Sequence, residues 1–147
     1  MIKESIERLQ FLCDTIPHLL TQIDEEAFSA KPKPEKWSKK EILGHLIDSA
    51  ANNHHRFVRG QFEEIPIITY DQNKWNACGY YQQMDSLQII SFWTAYNRQL
   101  VVLINNIPEK KLSNKINTGD ENPHTIEFLI IDYVKHLEHH LRQIVSY

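Results

Sequence analysis

Apolar residues recur every three or four positions in four long stretches of this chain, and this spacing constrains the fold most strongly. Such a period matches one face of an α-helix, which completes a turn in about 3.6 residues. With only 4 glycines and 6 prolines in 147 residues, few positions are available for turns between short strands. The pattern predicts an all-α four-helix bundle, formed as a single domain over residues 1–147. The predicted helices span about residues 2–23, 38–59, 85–106 and 125–146.

The connections between these helices differ in length. Ser38 with Glu41 three residues later forms a capping box, which marks the start of the second helix. Between the second and third helices, residues 60–85 form a long connection rich in aromatic side chains, including Tyr70 and Trp75. A connection of this length is usually functional or crosses the bundle. No segment carries a strand pattern that competes with the helical one.

Charge and composition exclude several classes of function. The chain carries 16 Lys and Arg against 19 Asp and Glu, whereas a nucleic-acid-binding domain usually has a basic surplus. No stretch approaches the roughly 20 apolar residues of a membrane span, and the first residues do not resemble a signal peptide. We therefore expect a cytoplasmic protein that binds neither nucleic acid nor membrane.

Two of the 8 histidines flank the apolar face of the last helix, one turn apart. On a helical wheel His140 lies about 70° from the centre of that face and His136 about 110°, on the same side. His139 points away, towards solvent. Imidazoles at positions i and i+4 are a common way to occupy two corners of a metal site. A structural pair at the edge of the bundle is equally compatible with the spacing.

A polar stripe on the second helix adds a third histidine. Such a stripe either solvates the surface or lines a pocket, and its Ser, Asn and His residues favour the pocket, because a solvated face favours Lys and Glu. His45 and the pair on the last helix would supply three neutral nitrogen ligands and leave a position open for water or substrate. The stripe comprises His45, Asp48, Ser49, Asn52 and Arg56.

Three further histidines are left out of this candidate site. His54 follows His45 by nine residues, about 13 Å along the helix axis, which is too far for both to bind one ion. His55 is its neighbour and rival on the same helix. We expect His124, near the start of the last helix, to be a loop or capping residue.

Three sequence motifs follow one another along the chain. The second helix carries HLIDSAANNHHRF, the following connection carries YDQNKW, and the last helix carries HLEHH, at residues 45–57, 70–75 and 136–140. In this order they resemble the motifs of the DinB/YfiT-like superfamily of metal-binding four-helix bundles, and the resemblance spans about residues 37–144. The chain differs from the family pattern at residues 96–98, within the third helix.

This resemblance implies an up-down-down-up bundle that frequently forms homodimers. It also implies one divalent metal ion, most often zinc or nickel, with His45, His136 and His140 at the positions of the family's ligands. Members include metal-dependent hydrolases and S-transferases that use a low-molecular-weight thiol. A small-molecule substrate, with such a thiol as a second reactant, is therefore implied here.

Two functions are compatible with these residues. In an enzyme, the ion would activate water or a thiol, Asp48 would act as a base or orient a ligand, and Arg56 would hold an anionic group. Asp48 could equally hydrogen-bond to Arg56 or to the backbone. The alternative is a non-catalytic metal-binding bundle that acts as a sensor or a protein-interaction module.

Overall fold

The computed structural model describes residues 2–147, most of which lie in six α-helices. Two 3₁₀ turns, at Tyr81–Gln83 and Glu109–Lys111, lie in the connections. The helices are α1 (Ile2–Thr21), α2 (Glu25–Ser29), α3 (Lys39–Arg59), α4 (Gln72–Gly79), α5 (Ser86–Asn106) and α6 (Ile126–Leu141), and two short strands are β1 (Lys115–Ile116) and β2 (His124–Thr125).

Side-chain caps set the starts of the long helices. Ser38 accepts a hydrogen bond from the Glu41 amide, and the Glu41 carboxylate accepts one from the Ser38 amide, which completes the predicted capping box. Asp85 caps α5 and Thr125 caps α6, each by accepting a hydrogen bond from the amide three residues further on. Each cap satisfies an amide that has no partner within its helix.

The four long helices form a bundle in which α1 and α3 each pack against both α5 and α6. Helices α3 and α5 run in the same direction. Near their starts the Lys40 ammonium donates to the Met84 carbonyl at 2.8 Å. Further along, His54 Nδ1 lies 2.9 Å from the Tyr96 hydroxyl. Parallel neighbours cannot be joined by a short turn, which explains the long connection between them.

Helices α1 and α6 also run in the same direction. Ile2 and Glu127, close to their starts, line one cavity, and further along Arg8 donates to Glu138 at 2.6 Å. Helix α5 is antiparallel to α1, because Arg98 in its middle pairs with Asp14 at 3.0 Å whereas its end reaches Ile2. The predicted up-down-down-up bundle is thus confirmed.

The core runs along the axis between the four long helices, and each contributes fully buried side chains. Burying one such apolar side chain stabilises the fold by about 1.5–3 kcal/mol. The largest include Leu9, Leu12, Leu43, Phe57, Trp93, Leu100 and, from α2, Phe28. No helix within residues 2–147 is both long and apolar enough to cross a membrane.

The structure differs from the sequence prediction in four places. Helix α1 stops at Thr21 and is followed by the separate short helix α2. Helix α6 ends at Leu141 rather than near residue 146. Ile144 is nevertheless buried, because a turn in which the Ile144 amide donates a hydrogen bond to the Leu141 carbonyl keeps its side chain against the core. The apolar spacing therefore continues past the last helical turn. The strands and α4 were not predicted, since two-residue strands and an eight-residue helix are too short to show a period.

A small sheet ties the long connection to the rest of the molecule. Strand β1 pairs with β2 in antiparallel register. Beside it, the Ile68 amide donates to the Asn117 carbonyl at 2.9 Å, and the Asn117 amide donates to the Pro66 carbonyl at 3.0 Å. The connection after α3 is therefore held against the segment that precedes α6.

Candidate metal centre

Helices α3 and α6 bring three histidines together. One ring nitrogen from each of His45, His136 and His140 lies within 4.8 Å of the others. The Nε2 atoms of His45 and His136 are 3.2 Å apart. His45 is fully buried, whereas His136 and His140 are half-buried. Because α3 and α6 are antiparallel, the start of one faces the end of the other, which is where these residues lie.

The donor set fits a divalent metal ion. Burial, reinforced by the neighbouring imidazoles, lowers the pKa of His45 to about 3. Burial likewise lowers the pKa of His136 to about 4, so both rings are neutral at neutral pH, the state that metal binding requires. Two ligands of one tetrahedral zinc ion lie about 3.3 Å apart, close to the spacing of the two Nε2 atoms.

Two neighbours restrain the rings. The Nδ1–H of His140 donates to the Gln143 side-chain oxygen at 3.0 Å, which leaves Nε2 free as a ligand. The Trp37 ring packs 4.9 Å from the His45 ring, between centroids. The buried Nδ1 of His45 has no hydrogen-bond partner. Such an unsatisfied polar atom is costly to leave in place.

The other histidines contribute no ring nitrogen to this group, although the His139 ring lies 5.1 Å from the His140 ring between centroids. His139 is exposed on the outer side of α6. His54 bonds to Tyr96, and His124 lies 2.7 Å from Asp120 and stacks on Phe128. The expectation that His124 is a loop or capping residue was wrong, because His124 pairs with Ile116 in the short sheet and the neighbouring Thr125 caps α6.

Asp48 is buried, with 3% of its surface exposed, and its hydrogen-bond partner comes from the long connection. The Tyr81 hydroxyl donates to Asp48 Oδ1, while Oδ2 has no partner. Burial raises the pKa of Asp48 to about 6, although the Tyr81 hydrogen bond opposes this shift. Neither of the alternatives considered for Asp48, Arg56 or a backbone group, is the partner observed.

Two glycines make room for Tyr81. A Cβ at Gly44 or at Gly79 would overlap the Tyr81 ring. Gly44 lies within α3, where glycine is unfavourable by about 1 kcal/mol relative to alanine. Sequence reasoning did not single out Tyr81, but a glycine inside a helical pattern indicates a close approach by another group.

Arg56 is half-buried and holds the long connection in place. Its Nε and Nη2 donate to the Ile68 carbonyl at 3.2 and 2.9 Å, and Nη1 lies 3.4 Å from Asn53 Oδ1. The guanidinium also lies 5.9 Å from the centre of the Tyr70 ring, and the Tyr70 hydroxyl is hydrogen-bonded to Ser49. The polar stripe of α3 is thus covered by the connection rather than solvated.

A bundle in which two antiparallel helices gather three histidines has the geometry of a metal-binding site built on four helices. A sequence model of the DinB superfamily matches residues 8–144. The chain therefore belongs to the DinB superfamily.

Two relatives have names that refer to a metal. The chain is 23% identical over 142 residues to "Putative metal-dependent hydrolase BH0277" of Halalkalibacterium halodurans, a match that covers 95% of this chain and 81% of the relative. It is 24% identical over 116 residues to "Putative metal-dependent hydrolase YfiT" of Bacillus subtilis, a match that covers 75% of this chain and 63% of the relative.

Solved structures share the fold. The structure of YfiT from Bacillus subtilis, described as having "an unusual four-helix bundle topology", superposes with a TM-score of 0.82 at 21% identity, over 97% of this chain and 83% of that one. The mycothiol-dependent maleylpyruvate isomerase superposes with a TM-score of 0.81 at 12% identity, over 99% of this chain and 61% of that one. At such identities the likeness extends to the fold alone.

Proposed function

We propose that this protein is a metal-dependent enzyme in which His45, His136 and His140 hold one divalent ion. The observation that carries the proposal is the convergence of three ring nitrogens from α3 and α6. Zinc and nickel are the proposed ions, since imidazole suits both. The relatives named as metal-dependent hydrolases and the structural neighbour that depends on mycothiol support a small electrophilic substrate attacked by water or by a low-molecular-weight thiol.

A divalent ion bound by neutral imidazoles lowers the pKa of water or of a thiol and so provides a nucleophile at neutral pH. The chain's own residues prepare the site. Gln143 holds His140 in one orientation and one tautomer. Trp37 covers the His45 ring on the side of the α3 start. Together these contacts hold the ring nitrogens in one arrangement, so that the rings need not reorient at each turnover.

We assign proton transfer to Asp48, which lies one turn after His45 on α3. Tyr81 occupies one carboxylate oxygen and leaves Oδ2 free to accept a proton. With a pKa of about 6, the carboxylate is largely ionised at neutral pH and is still basic enough to act, since a general base works best near the operating pH. Arg56 acts as a positioning residue, because three of its donors already bind protein oxygens.

Metal content tests the ligand assignment. We expect His45→Ala, His136→Ala and His140→Ala each to lose most of the bound zinc or nickel in protein purified without a histidine tag and analysed by mass spectrometry of the metal. His139→Ala, the matched control, keeps it, because His139 faces solvent. Loss of metal from His139→Ala with retention in His140→Ala would refute the assignment.

Turnover tests the enzymatic part. Hydrolysis of 4-nitrophenyl acetate and displacement of chloride from 1-chloro-2,4-dinitrobenzene by a thiol are measured before and after removal of the metal. Asp48→Asn is expected to keep its metal and to lose about 10²–10⁴-fold in kcat, the usual contribution of a general base. Metal retention without any metal-dependent turnover would favour the non-catalytic metal-binding module instead.

A further inference from the structure

A cleft opens next to the three histidines. It has a volume of about 600 Å³ and lies between residues 32–37, the start of α4 and Gln143. Pockets for small molecules typically measure about 300–1,000 Å³. The cleft is therefore large enough for a substrate of several functional groups.

Two residues of the cleft wall touch the histidine group. Trp37 packs on the His45 ring at 4.9 Å between centroids, and Gln143 accepts the hydrogen bond from His140 Nδ1 at 3.0 Å. Both residues line the cleft. A molecule in the cleft that contacts Trp37 or Gln143 is therefore separated from His45 or His140 by that one side chain.

The mouth of the cleft is positively charged. Residues 31–40 contain five lysines and one glutamate, a charge of +4 in a chain whose net charge is -3. Lys31 is paired with Glu41 and the buried Lys40 with Glu25. Lys33 and Lys36 line the cleft and form no ion pair within residues 2–147.

A turn holds these two lysines next to each other. The Lys36 amide donates to the Lys33 carbonyl at 3.0 Å, which defines a β-turn with Pro34 at its second position, where proline is favoured. The ends of such a turn lie within about 7 Å between Cα atoms. Glu35, the third residue of the turn, compensates only one of the two like charges. An anion bound in the cleft would relieve the remaining repulsion.

We infer that this cleft is the substrate-binding cleft of the three-histidine site, and that Lys33 and Lys36 bind a carboxylate or another anionic group of the substrate or thiol. The inference rests on the proposed function. It assigns anion recognition to the turn at residues 33–36 instead of Arg56, because the Arg56 donors are already hydrogen-bonded to Ile68 and Asn53. Trp37 supplies the apolar wall beside the anion.

Calorimetric titration of the zinc-loaded protein with glutathione and with glutathione diethyl ester tests the inference. The two thiols differ in their carboxylates, which the ester neutralises. We expect the wild type to bind glutathione about two- to thirtyfold more tightly than the ester, the range for two exposed ion pairs. The preference should weaken at high ionic strength, because exposed charges are screened.

Variants locate the effect. Lys33→Ser with Lys36→Ser should abolish the preference, and Glu35→Gln should increase it, because the variant removes the opposing charge. Lys110→Ser, at an exposed lysine outside the cleft, should leave it unchanged. An unchanged preference in the double variant, or no binding of glutathione by the wild type, overturns the inference. Zinc content is measured in each sample, so that failure of the three-histidine site appears separately as loss of zinc.

Discussion

Asp48 combines burial with a single hydrogen bond, a rare state for a carboxyl group. Buried charges are normally paired, yet only the Tyr81 hydroxyl contacts this one, and Oδ2 is left without a partner. The fold therefore keeps a destabilising group on α3. Such a cost is typical of residues that are retained for function.

Asp48→Asn is expected to stabilise the metal-free protein at neutral pH. Because folding raises the pKa of Asp48 from 3.8 to about 6, ionisation of this group costs stability as the pH rises through that window. The variant cannot ionise, so it gains on the order of 2–3 kcal/mol at pH 7, at about 1.4 kcal/mol for each pKa unit. Below about pH 4 the gain disappears. Urea denaturation at pH 4 and pH 7 measures the difference.

Glu121→Gln serves as the control, because Glu121 is exposed in the loop before β2. Its stability should follow the wild type at both pH values. An Asp48→Asn variant whose effect is the same at pH 4 and pH 7 would contradict this account, because the gain would then not come from ionisation.

Side chains of α3 hold the long connection between α3 and α5 in place. Arg56 binds the Ile68 carbonyl, and the same stretch of chain pairs with Asn117. Tyr70 and Tyr81 from this connection then reach Ser49 and Asp48. One helix therefore supplies a histidine of the candidate centre and also anchors the chain segment that covers its polar stripe.

Arg56→Met is expected to loosen the connection without removing the metal. A hydrogen bond to a charged group contributes about 1.5–3 kcal/mol, so amide hydrogen exchange at Ile68 and Asn117 should become about ten- to a hundredfold faster. Exchange with mass spectrometric or NMR detection measures the change, together with the zinc content. Arg59→Met is the matched control, since Arg59 pairs with Glu63. Loss of zinc with unchanged exchange would instead make Arg56 part of the metal centre.

At the scale of the whole molecule, the candidate centre joins helices that are far apart in the chain. His45 and His136 are separated by 91 residues, and their ring nitrogens face each other across the interface of α3 and α6. Only the folded bundle assembles this group. Metal binding is therefore expected to be coupled to the stability of the entire bundle.

Zinc should raise the melting temperature of the wild type. A ligand present at a hundred times its Kd stabilises the folded state by about 2.7 kcal/mol, which corresponds to roughly 5–10 °C for a chain of this size. Differential scanning calorimetry with zinc and after chelation measures the shift. Magnesium, which prefers oxygen ligands, should have no effect, and His136→Ala should not respond to zinc. Equal shifts in the variant and the wild type would place the binding elsewhere.

Local sequence signals determined the long helices and the directions of their side chains. The capping box at Ser38 and Glu41 and the period of the apolar residues both act within a few residues, so the limits of α3 and α5 could be predicted closely. The opposite orientations of His139 and His140 follow from the 100° step of one helix. The polar stripe on the second helix added His45 to the pair on α6, and the resemblance of three motifs to a known family agreed with that set.

Tertiary structure alone decided the contacts between distant segments. Gly44 indicates that some group packs closely on α3, but not that this group is Tyr81, and nothing in residues 33–36 indicates that their lysines line a cleft together with Gln143. The end of α6 was also set by packing, because Ile144 reaches the core from a turn as well as it would from a helix. Such contacts depend on how the helices pack and on where their connections then lie. The residues within a few positions of each contact do not determine that arrangement.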